Sequence, residues 1–142
     1  MTQSRDLKSG TQKLEAYPVS HHARMGTLPR HFGRHMMTVE HRIYNLMGRF
    51  VADYKGAFWE FYELSNGGMY MAPRIPSVRL SIQSNGFQGQ MSADAAGVTV
   101  CLFAFSLLSF EGNDEVFARH FHWLREFALG HVEATQVFAA ID

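Results

Sequence analysis

The sequence predicts an α+β fold in a single domain: a four-stranded, mainly antiparallel sheet of two hairpins packed with about four helices. Three observations lead there. Asn66-Gly67 and Asn85-Gly86 each separate two short strand-like runs, and apolar residues recur every three or four positions from Met36 to Tyr54 and from Phe117 to Ala128. The 142 residues are 46% hydrophobic and 18% charged, enough apolar material for one buried core.

Residues 1–23 lack apolar periodicity and read as a flexible arm, with a short extended piece near Leu14 to Val19. The folded domain is expected over residues 24–142. Its first long helix runs from Met36 to Tyr54, where Val39, Ile43, Leu46, Phe50 and Tyr54 share a face, Thr38 is available as a cap and Gly56 follows the end. Glu40 lies on the neighbouring stripe with Tyr44, Met47 and Val51, an acid at the edge of an apolar face.

Asn66-Gly67 suits the positive φ values of a type I′ turn, so Ala57 to Ser65 should pair with Gly68 to Ala72. A phosphate-binding loop would need a helix directly after the glycines, whereas Met69 to Ala72 is strand-like and ends at Pro73. Phe58, Glu60, Tyr62 and Leu64 face one way on the strand, and Trp59, Phe61 and Glu63 the other. Glu60 and Glu63 are therefore not a paired acid and base. In the second hairpin Val78, Leu80 and Ile82 alternate with Arg79, Ser81 and Gln83, and the chain returns through Phe87, Gly89 and Met91.

Ser92 and Asp94 open the next helix, the serine as a cap and the aspartate at the positive helix end. Read as a nucleophile and its acid, they lack a histidine placed by any known motif. The apolar run from Val98 to Phe110 is shorter than the roughly 20 residues that span a bilayer, and it reads as a core helix. In the following helix Phe117, Phe121, Leu124 and Ala128 form the buried stripe, Glu115, Arg119, His122 and Glu126 an ion-paired solvent face, and Gly130 the end. Glu133 to Ile141 reads as a terminal helix docking Val137, Phe138 and Ile141.

Composition narrows the function classes. The lone Cys101 sits among apolar residues, which excludes a disulfide framework and gives no means of activating the thiol. The eight histidines show no zinc spacing, so neither a metal nor a cofactor is expected. Met1 to Ala16 lacks the pattern of a signal peptide, and a cytoplasmic protein is expected. Net charge is zero, but residues 1–56 carry nine Lys and Arg against four Asp and Glu, while residues 57–142 carry four against nine. The chain has no excess of acid with which to imitate DNA, which presents about one negative charge per 1.7 Å of duplex.

Four ordered blocks then carry a resemblance. They are Leu28-Pro29-Arg30-His31-Phe32-Gly33, the stretch from Trp59 to Pro73 (WEFYELSNGGMYMAP), Asn85-Gly86-Phe87 with Met91 to Gly97 (MSADAAG), and His120 to Phe127 (HFHWLREF). From about Arg24 to Asp142 the chain resembles the ArdB/KlcA antirestriction proteins, departing where Ala57 replaces an expected glycine and Val132 an expected proline. The resemblance implies a non-enzymatic accessory protein of plasmids and other mobile elements that relieves type I restriction of unmodified incoming DNA.

Because the chain is not acidic, inhibition should run through a protein surface touching the type I restriction complex or a host factor coupled to it, with no stable DNA binding and no membrane. For that surface the residues chosen are Trp59, an interface anchor or a core side chain, and Arg24 with Glu40, a functional pair or a structural bridge. The competing reading is a non-enzymatic nucleic-acid-binding accessory protein using Arg24, Arg30, Arg34, Arg42 and Arg49 of the basic half.

Overall fold

Two antiparallel sheets form where the sequence predicts one. In the computed structural model, which describes residues 13–142, strands β1 (Ala16–Pro18), β2 (Trp59–Leu64) and β3 (Met69–Pro73) make a sheet in the order β1-β2-β3. Strands β4 (Val78–Ile82) and β5 (Phe87–Met91) make a separate hairpin. The helices are α1 (Thr27–Phe32), α2 (Met36–Phe50), α3 (Ala93–Glu111), α4 (Val116–Leu129) and α5 (Ala134–Ile141), and 3-10 turns at His21–Gly26 and Gly33–His35 flank α1. Four of these helices have eight residues or more, and the class is α+β.

The hairpins stay apart because a helix takes the place that β4 would have filled. Met71 turns its carbonyl away from β2, and that oxygen accepts from Cys101 Sγ of α3 at 3.6 Å. Gly97, one turn earlier, lets α3 approach: a Cβ there would lie 2.5 Å from both Ala72 Cβ and Met71 O. Pro73 then ends the strand, and Pro76 supplies no N–H to a ladder. On the opposite side β1 pairs with β2 through Ala16↔Leu64, Tyr17↔Glu63 and Pro18↔Tyr62. Of the segment read as an arm, residues 1–12 lie outside the described residues, and Ala16–Pro18 is the extended piece expected near Leu14 to Val19, held in the sheet.

Neither hairpin turn is the two-residue type I′. Gly67 N–H bonds Leu64 O at 3.0 Å, Leu64 N–H bonds Gly68 O at 2.9 Å, and Gly67 has φ 106°, the three-residue loop that ends on a left-handed glycine. Asn66 Oδ1 accepts from Gly68 N–H, and its Nδ2 donates to Trp123 O and Glu126 Oε1, both at 2.9 Å, so the turn is docked on α4. The second loop spans Gln83 to Gly86, closed by Gly86 N–H on Ile82 O.

Helix α2 stops at Phe50, four residues before the expected Tyr54, because Val51 is already extended. His35 stands at its N-cap position, and Thr38 lies inside the helix without capping it. Ser92 does cap α3, accepting from Ala95 N–H at 3.0 Å. Helix α3 is long and apolar enough to cross a bilayer, yet Ala95 through Leu102 with Ala104, Phe105 and Leu108 are buried in the core. On α4 the buried stripe is Phe117, His120, Leu124 and Ala128, with His120 taking the place expected for the half-buried Phe121. Glu115, Arg119, His122 and Glu126 are exposed as expected, but no ion pair joins them.

Candidate functional site

Arg24 and Trp59, 35 positions apart in sequence, meet where β1 ends. Val19 N–H makes the last backbone bond to β2, on Phe61 O at 2.8 Å, and the next carbonyl facing that side belongs to Trp59. Arg24 Nη2 donates to it at 2.7 Å, so a guanidinium occupies the position of a missing strand. The short 3-10 turn places Arg24 there, with Cζ 4.3 Å from the Phe58 ring centroid and 5.2 Å from that of Phe61. Arg24 is half-buried, its Nε has no hydrogen-bond partner, and it takes part in no ion pair among the described residues.

Trp59 is 3% exposed. Its indole N–H donates to Tyr54 Oη at 2.9 Å, and its ring packs at 5.3 Å from that of Tyr44. The indole supports the site from beneath and meets nothing outside, while its carbonyl fixes Arg24. Glu40 stands one turn before Tyr44 on α2 and accepts a long hydrogen bond, 3.4 Å, from the tyrosine hydroxyl. Burial first, then the Glu40 carboxylate, push the Tyr44 hydroxyl up to about 12, so it stays a donor.

Arg24 and Glu40 line a single pocket of about 340 Å³ together with Met25, Leu28, Met36, Tyr44 and Phe61. The two charges share an apolar cavity without forming the structural bridge. Chemically the arrangement can recognise a ligand by shape and by two opposite charges. It contains no nucleophile with an adjacent base.

Two polar clusters escaped the sequence reading. Asp94 accepts from Tyr70 Oη at 2.6 Å and pairs with His131 Nε2 at 2.7 Å, while His131 Nδ1 accepts from Glu133 N–H. Burial alone would raise the Asp94 carboxyl, but the hydrogen bonds from His131 and Tyr70 outweigh it and hold it below its ordinary range. This brace ties β3, the start of α3 and the α4–α5 connection. In the second cluster Glu63 receives both Arg30 and His31, and the His31 ring lies 5.0 Å from the buried ring of His120. Such clusters join residues 24 to 89 positions apart, and no local spacing marks them. Among the described residues no three His, Cys, Asp or Glu side chains gather as metal ligands.

Comparison with known proteins covers nearly the whole chain. A family model described as "Antirestriction protein" matches residues 52–142. The chain is 40% identical over 142 aligned residues to an antirestriction protein KlcA of Escherichia coli, across 96% of this chain and 100% of that protein. A second Escherichia coli KlcA is 41% identical, across 84% of this chain and 87% of its own length. A solved structure at 40% identity superposes with a TM-score of 0.85 over 92% of this chain and 96% of the other. It comes from work describing KlcA and ArdB as showing a novel fold and antirestriction activity against type I DNA restriction systems in vivo but not in vitro.

Proposed function

Since this chain belongs to the antirestriction protein family of KlcA and ArdB, we propose that it relieves type I restriction of incoming unmodified DNA in the cytoplasm by contacting protein. The observation that carries the protein-contact reading is charge. Net charge is zero, whereas a DNA mimic must reproduce a dense row of negative charges. Of the five arginines in the nucleic-acid reading, Arg30 is paired with Glu63, Arg42 with Glu111, and Arg24 is fixed on a carbonyl, which leaves Arg34 and Arg49 as exposed cations without an ion pair among the described residues and favours the protein-contact reading over the competing one. The contact surface is centred on Arg24 and Glu40, with Trp59 holding it in shape. It works without chemistry on the partner, which is the type I complex or a host factor coupled to it. Activity of KlcA and ArdB in vivo but not in vitro supports a partner or state supplied by the cell.

Phage plating on cells with a type I system tests this, using unmodified and modified phage with and without the protein. Recovery of the unmodified phage alone is expected. Unchanged plating while folded protein accumulates overturns the reading, and turnover of DNA or nucleotide by the purified chain overturns its non-enzymatic part.

A further inference from the structure

We propose that the pocket between Arg24 and Glu40 receives one apolar side chain of a partner protein, at a point where the partner carries an acidic residue on one side of that anchor and a basic residue on the other. This rests on the protein-contact reading above and specifies what the contacted segment must carry.

The walls supply the first argument. Leu28 and Phe61 are buried and form a fixed apolar surface, while Met25, which lines the same pocket, is 87% exposed. Met37, beside the pocket residue Met36, and Phe58, beneath Arg24, are exposed as well. Thioether side chains adapt to the shape of what they cover, and they are favoured where a surface must close around an anchor. Four other methionines, Met47, Met69, Met71 and Met91, are buried in the core. Among the described residues the most exposed methionine, Met25, is the one in the pocket's wall.

Charge supplies the second argument. Arg30, Arg42 and Arg74 each meet a glutamate. Arg24, although half-buried, meets among the described residues a carbonyl and two aromatic rings and no carboxylate, so there it has lost water without gaining a counter-charge. Glu40 is the converse, an acid receiving one long hydrogen bond and no cation among the described residues. A nucleic-acid strand would set phosphate against Glu40 and an apolar wall, and a purely basic segment would meet Arg24. A segment carrying both signs around an apolar residue satisfies the pocket completely.

The test uses the full chain in cells that carry a type I system. p-Benzoylphenylalanine replaces Met25, or Val132, which lines a different cavity, and cross-linked peptides are mapped by mass spectrometry. Met25 should cross-link a partner peptide with an acid and a base within four positions of an apolar residue, and Val132 should not. Glu40→Arg should lower phage protection by about tenfold or more at an unchanged melting temperature, and Arg24→Glu should lower it at least as far, with a melting temperature reduced by loss of the bond to Trp59 O. The combined Arg24→Glu/Glu40→Arg swap should not restore protection, because the partner's charges keep their order.

Restoration by the swap overturns the proposal in favour of an internal bridge. So does a Met25 cross-link to nucleic acid, to a second copy or to a peptide lacking the charge pattern, or protection without any Met25 cross-link. If the unsubstituted chain gives no protection at all, the antirestriction reading fails first, and the pocket's assignment falls with it.

Discussion

Gly68 lies against Trp123 so closely that a Cβ on the glycine would stand 2.7 Å from the tryptophan Cβ. The first hairpin turn and α4 therefore meet with no space for a methyl group. Gly68→Ala should destabilise the protein by about 1–3 kcal/mol, the usual cost of overpacking, read as a lower urea midpoint with a shift in tryptophan fluorescence.

Gly97 and Gly48 should respond in opposite directions to the same substitution. At Gly97 an added Cβ meets Met71 O and Ala72 Cβ at 2.5 Å, so Gly97→Ala must push α3 away from β3, and a loss of about 3 kcal/mol is expected. Gly48 is an exposed position inside α2 with open space around its Cβ direction. Gly48→Ala should stabilise by about 0.5–1 kcal/mol, seen as a rise in melting temperature.

Acid should begin to destabilise the fold well above the carboxylate range. Burial pushes the His120 imidazole down to about 3, with the neighbouring His31 and Arg119 adding to the effect. Between that value and its ordinary 6.5 the unfolded chain binds the proton and the folded chain does not, so stability falls as pH is lowered through this window. The slope is about 1.4 kcal/mol per pH unit, giving a loss of about 2 kcal/mol between pH 6.5 and 5. Glu63 and Asp94, held below their ordinary ranges, add their losses only at lower pH. Urea unfolding across this range should show the slope, and His120→Phe should flatten it above pH 5.

Cys101 should be silent toward thiol reagents in the native protein. It is fully buried, and burial pushes the thiol up to about 12 despite its contact with Met71 O. Ellman's reagent should react at the rate of unfolding, and the reaction should become immediate in denaturant; fast labelling of folded protein would contradict the packing of α3 on β3.

Duplex DNA should bind weakly. With Arg30 and Arg42 paired to glutamates, affinity at physiological salt is expected to be no tighter than about 100 µM, at the weak end of non-specific binding. Fluorescence anisotropy at two salt concentrations checks this. Micromolar affinity falling steeply with salt would restore the nucleic-acid reading.

What was legible in the sequence was local. The hairpins, the amphipathic α2, the Ser92 cap and the buried α3 follow from alternation, periodicity and capping chemistry, which act over a few residues. Sheet partnership was not, because the choice between β4 and α3 beside β3 depends on Gly97 and Cys101, distant from β3 in sequence. At the site, Glu40 was visible as an acid beside an apolar stripe and Arg24 as the start of the region that resembles the family, and the structure brings them to one pocket. That Trp59 would be buried depends on Tyr44 and Tyr54 covering it from another element, which no pattern in β2 reveals. His120 was hidden for the same reason: its aromatic neighbours come from α1, α3 and α4 together.

The pairing of β1 with β2 sets an order on events at the ribosome. Ala16 pairs with Leu64, which is synthesised 48 residues later, and Arg24 needs the carbonyl of Trp59. At the roughly 5–20 residues per second of translation, the segment spends about 2–10 seconds without its strand partner, longer by the time Leu64 takes to leave the exit tunnel. A segment of three residues with a donorless Pro18 is poorly suited to pairing with a neighbouring nascent chain during that interval. The first strand to be made is therefore among the later ones to be placed, and its shortness keeps it from aggregating while it waits.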